Sequence, residues 1–168
     1  MTRLETATHI FLIGLCCLSG GILIEQRFFS AANDEPAAPQ LVGREVKLPG
    51  ADWHASPYSV LLQISSTCPY CNASMPFYRR LMATRQAAPA KVPVIVACRD
   101  AVAVMQKHLA DEQVAVDKVL HSRMAAFPTG TPTVYIVDSK GMVQRAFVGK
   151  LDAEGENQLL AIVERGKV

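Results

Sequence analysis

Cys68 and Cys71 stand with two residues between them in the stretch ISSTCPYCNASMPFYRRL, from Ile64 to Leu81, after an apolar run and before a segment of helical periodicity. Thiols at this spacing can form a redox pair, half of a metal site or part of a core. Where a strand hands over to a helix, Cys68 meets the free N–H groups of the first turn and the positive end of the helix dipole. Both stabilise a thiolate and raise its fraction at neutral pH, which makes Cys68 the nucleophile. Cys71, one helical turn on, is placed to attack the mixed disulfide that Cys68 forms with a substrate. That attack releases product and closes a Cys68–Cys71 bond. A structural metal needs a second close ligand pair, whereas His54, His108 and His121 are scattered. Pro69 and Tyr70 in a strand-to-helix turn fit poorly with two inert core thiols.

The elements that must position this pair follow from periodicity. Ser59 to Ser65 has the length and apolar content of a buried strand, as has VPVIVAC ending at Cys98. Between them, Met75, Tyr78, Leu81 and Met82 recur at helical spacing from Cys71 to about Gln86, with Pro76 as a kink. Ala101 to Glu112 reads as a helix with Val104, Met105, His108 and Leu109 on one face, and VAVDKVL as a short strand. Two strand-like runs flank Asp138-Ser139-Lys140-Gly141, a hairpin composition, and Asp152 can cap a last helix carrying Leu159, Leu160 and Ile162. Alternation in Arg44 to Leu48 suggests a short edge strand. A parallel unit closed by an antiparallel hairpin predicts an α/β domain with a mixed central sheet flanked by helices.

At 168 residues, half of them hydrophobic, the chain suits one domain plus a short extra segment. Lys and Arg total 17 against 15 Asp and Glu, with no basic stripe interleaved with aromatics, so a nucleic-acid footprint is not supported. His9 to Ile24 is almost wholly apolar, and a helix from about Thr6 reaches the ~20 residues needed to span a bilayer. A cleaved signal with its site at Ser30-Ala31-Ala32 is the competing reading; Glu25, Arg27, Phe28 and Phe29 before that site favour an uncleaved anchor. The expected organisation is an anchor or signal segment over residues 1–30, an Ala/Pro-rich linker over 31–42 and a folded domain over 43–168.

Cys68-Pro69-Tyr70-Cys71, Pro76 five residues after the second cysteine, Thr131-Pro132 opening a strand, Gly141 in the hairpin and Gly149 after it resemble the thioredoxin superfamily. Over about Gly43 to Val163 the pattern is most similar to membrane-anchored, TlpA-type redoxins of the bacterial periplasm. The resemblance implies a thioredoxin-like fold and a thiol–disulfide oxidoreductase acting on protein substrates, as a reductase. It implies an inner-membrane protein with its domain facing the periplasm, fed by a membrane electron donor of the DsbD type. It also implies that Pro132 is cis and packs beside the disulfide, so that Thr131 and Pro132 dock the substrate backbone.

This sequence departs from the pattern in three places. Thr67 stands where relatives carry Trp, Leu62 where thioredoxin has a buried acid, and Ser74 where many TlpA-type proteins have Glu. No general base for Cys71 is therefore named. The glycine and aspartate pattern that holds glutathione in glutaredoxins is not visible, and neither a cofactor nor a metal is expected. Competing functions are a peroxiredoxin-like peroxidase, for which Ser65 is present but Leu61 replaces the usual proline, and a non-catalytic assembly module. Cys98 reads as a core thiol, and Trp53 as a cover for the domain's N-terminal edge.

Overall fold

The computed structural model describes residues 38–122 and 129–166. The anchor, most of the linker and Cys16 and Cys17 lie outside the described residues. A single turn α1 (Ala38–Leu41) and a 3-10 turn (Trp53–Ala55) precede β1 (Tyr58–Gln63). Then follow α2 (Pro69–Ala73), α3 (Met75–Ala87), β2 (Val94–Cys98), α4 (Val102–Asp111), β3 (Lys118–His121), β4 (Thr133–Asp138), β5 (Val143–Val148) and α5 (Ala153–Arg165).

The sheet runs β3-β2-β1-β4-β5, with β1, β2 and β3 parallel and β4 and β5 antiparallel to their neighbours. β1 is central because both its faces carry apolar side chains: Val60 and Leu62, with Ile64 just beyond the strand, join the core that holds Met75, Tyr78, Leu81, Met105 and Leu159. Leu61 points to the other face, where Leu41, Val46, Leu48, Ile95 and Tyr135 gather. Strand geometry sends alternate side chains to opposite faces, so one apolar run feeds both layers. At the β4–β5 hairpin the Asp138 carboxylate accepts from Lys140 N–H at 2.8 Å and Met142 N–H at 2.9 Å. Gly141 turns there at φ +80°, and the Trp53 ring lies so close that a Cβ would sit 3.0 Å from it. Trp53 therefore seals the hairpin turn. Asp152 caps α5 by accepting from Gly155 N–H at 2.8 Å.

Three expectations are corrected. Arg44 to Leu48 is not a regular strand: Glu45 makes an isolated bridge to Met142, and Val46 N–H reaches Gly141 O at the hairpin turn, where the partner strand ends. The single kinked helix is two helices, broken at Ser74, with Pro76 in the first turn of α3. Proline lacks an N–H and is tolerated at a helix start, where that donor has no partner anyway. On α4, Met105 and Leu109 are buried but Val104 is 53% exposed, because the helix packs through a narrower stripe than its composition suggests.

Candidate active site

Gln63 ends β1, and the chain crosses five residues to Pro69, the first residue of α2. Cys68 is the N-cap of α2, and its Sγ accepts a hydrogen bond from Cys71 N–H at 3.4 Å. As a thiol it also donates to Thr131 O at 3.1 Å. Burial alone raises the Cys68 thiol, but the Thr131 side chain, the Cys71 thiol and the backbone N–H groups of Cys71 and Tyr70 together hold it below the ordinary value. Cys71 is the opposite case. It is fully buried, and burial first, then its hydrogen bond with the Cys68 side chain, push it up to about 12. One thiol is thus half-exposed and easily ionised, while the other is sealed and keeps its proton.

Thr131 and Pro132 come to this same place. The bond between them is cis. Pro132 O accepts from Gly149 N–H at 2.8 Å, which extends the antiparallel register of Thr133 with Val148 by one pair before Gly149 turns away at φ +83°. The sequence places Thr131 sixty-three residues from Cys68; the antiparallel pairing of β4 with β1 closes that gap.

A cleft of about 330 Å³ opens beside Cys68, with Thr67, Thr131, Gln63, Cys98 and Arg99 in its walls. Cys98 is buried, with long contacts to Asp100 O at 3.5 Å and Leu120 O at 3.8 Å, and burial followed by the Asp100 charge pushes its thiol up to about 11. Leu62 is fully buried beneath the site. Ser74 Oγ donates to Tyr70 O at 2.8 Å, tying the end of α2 to its start. Among the described residues no group of three or more His, Cys, Asp or Glu side chains could hold a metal ion.

Two residues of the site went unread in the sequence: Gln63 and Thr129. The Gln63 amide donates to Thr129 O at 2.9 Å and to Thr129 Oγ1 at 3.0 Å. The available signal was a lone amide inside the otherwise apolar run VLLQI.

With the geometry in view, the chain can be set beside known proteins. No family model matches it, and no curated protein matches it either. Solved structures do. A Chlorobium tepidum structure assigned as thiol:disulfide interchange protein DsbE has a TM-score of 0.55 at 23% identity, covering 73% of this chain and 96% of that one. A Bacteroides thetaiotaomicron structure assigned as a protein disulfide isomerase has a TM-score of 0.52 at 14% identity, covering 64% and 74%. The MTB protein dsbF, in mixed oxidised and reduced forms, has a TM-score of 0.51 at 21% identity, covering 64% and 81%. The strand order, the cysteine pair at a helix start, the cis turn against it and these likenesses agree: the chain has the thioredoxin fold.

Proposed function

We propose that this chain is a thiol–disulfide oxidoreductase that reduces disulfides of protein substrates. The observation that carries this reading is the division between an accessible Cys68 held low and a buried Cys71 pushed up to about 12. The Cys68 thiolate attacks one sulfur of a substrate disulfide, forming a mixed disulfide and expelling the other sulfur as a thiolate that takes a proton. Cys71 then gives up its proton and attacks Cys68 Sγ, forming the Cys68–Cys71 bond and releasing the second substrate thiol. Two electrons and two protons pass to the substrate. Thr131 and Pro132, presented beside Cys68, hold the substrate backbone during the attack.

The apolar N-terminal segment supports placing the domain on the periplasmic side of a bacterial inner membrane, where a donor of the DsbD type restores the dithiol. The reductase direction rests on the likeness to TlpA-type redoxins. Among the described residues no helix is long and apolar enough to cross a membrane, and the proposed anchor lies outside them.

Trapping tests the core of the reading. In cells, Cys71→Ser should accumulate mixed disulfides on non-reducing electrophoresis, because attack proceeds and release is blocked, while Cys68→Ser should capture little. Equal trapping by both variants, or by neither, would overturn the assigned roles. Wild-type thiols found mostly oxidised in cells would reverse the direction, and a soluble mature product beginning near Asn33 would replace the anchor with a cleaved signal.

A further inference from the structure

We propose that Gln63 is a positioning residue of this site: its amide fixes the turn that presents Thr131 and Pro132 to Cys68, and so governs how well substrate backbone is held. The inference rests on the oxidoreductase reading above. Gln63 closes β1 in register with Thr133, the first residue of β4, which directly follows Pro132. Its Nε2 donates to Thr129 O at 2.9 Å and Thr129 Oγ1 at 3.0 Å, with Gly130 O at 3.5 Å. Carbonyl oxygens accept only, so these partners require the nitrogen, not the oxygen, of the amide on this side.

The rest of the network holds the same two residues, Thr129 and Gly130. Thr129 Oγ1 lies 2.6 Å from Tyr135 Oη, and Thr133 Oγ1 donates to Gly130 O at 2.8 Å. Gln63, Tyr135 and Thr133 are 3%, 0% and 0% exposed. The segment entering the turn is therefore tied from β1 by one amide and from β4 by two hydroxyls, immediately before the carbonyl that Cys68 contacts.

The other end of the amide is used differently. Among the described residues, Gln63 Oε1 is buried with no hydrogen-bond partner. Burying an acceptor without a partner is unfavourable, and an apolar side chain in this position would avoid it. Among the described residues every hydrogen bond the nitrogen makes goes to the segment entering the turn.

The test compares two reactions of the full-length protein. Reduction of insulin, a peptide disulfide, uses the turn; alkylation of Cys68 by iodoacetamide requires only the thiolate. Gln63→Leu should slow insulin reduction about tenfold, mainly through KM, since small misplacements of binding groups have effects of this order or larger. Alkylation at the same pH should stay within twofold. Thr129→Val and Tyr135→Phe remove single hydroxyls of the same network and should each slow insulin reduction about threefold, again on the scale expected of mispositioned groups. A folded Gln63→Leu with insulin reduction within twofold of wild type would overturn the proposal, as would parallel losses in insulin reduction and alkylation. Should Gln63→Leu fail to fold, the two hydroxyl variants decide, and wild-type rates in both would sink it. Failure of the wild-type protein to reduce insulin would instead count against the oxidoreductase reading.

Discussion

In the middle of β1, Val60, Leu61 and Leu62 are fully buried and meet only apolar neighbours across both faces of the sheet. The very next residue, Gln63 at the C-terminal end, is also buried but is an amide whose oxygen has no partner among the described residues, and the cleft beside Cys68 begins. The same strand thus passes from close apolar packing to a polar network built around a reactive thiol. The middle of the sheet holds the fold, and its end spends part of that stability on holding reactive groups in place. Changes in the middle should therefore alter stability and leave chemistry per folded molecule intact, and changes at the end should do the reverse.

The largest effect tests the end. Cys68→Ser should abolish exchange, with loss of at least a thousandfold on the scale of removing an attacking nucleophile, while thermal unfolding stays near that of the wild type. A large fall in stability would blur the division between the two regions. In the middle, Leu81 is fully buried in the α3 face of the core. Leu81→Ala should cost about 2–5 kcal/mol by urea unfolding, and the exchange rate of the remaining folded protein should hold within twofold.

Alkaline pH sharpens the contrast further. Cys71 rises from the ordinary thiol value of about 9 to about 12 on folding, because burial penalises its anion. Its contribution to stability is therefore complete below pH ~9 and is lost as pH climbs toward 12, where the unfolded chain ionises first. Cys71→Ala should flatten that alkaline decline in unfolding curves, and an unchanged slope would show that Cys71 is less shielded than its burial indicates. Cys98, pushed up to about 11 by burial and the Asp100 charge, should also resist alkylation at neutral pH while Cys68 reacts first. The smallest effect concerns the periphery: Asp152→Ala removes the cap of α5 and should cost about 1 kcal/mol, with exchange unaffected.

Much of this was legible from residue types and spacing. The reactive pair depends on two thiols one helical turn apart after a strand, an interaction within four residues, and the structure places both at the start of α2. The hairpin at Asp138 to Gly141 and the cap at Asp152 are equally local, since each needs only a side chain reaching backbone a few residues away. The apolar runs of β1 and β2 were readable because a strand buried on both faces is apolar along most of its length. The resemblance of the Thr131-Pro132 dipeptide to the redoxin pattern supplied what no local rule could.

Tertiary structure decided the rest. Whether Arg44 to Leu48 completes a strand depended on how far β5 and its hairpin extend beside it: Val143 N–H reaches Arg44 O and Val46 N–H reaches Gly141 O, where the hairpin turns away. The face of α4 that is covered depended on the neighbours it meets, which left Val104 outside. Gln63 and Thr129 are sixty-six residues apart, and their partnership exists only because β4 folds back antiparallel to β1. A sequence states which groups are available and what adjacent ones can do for each other. Which distant groups meet is set by strand order and register, because hydrogen bonds and van der Waals contacts act over a few ångströms in space, whatever the distance along the chain.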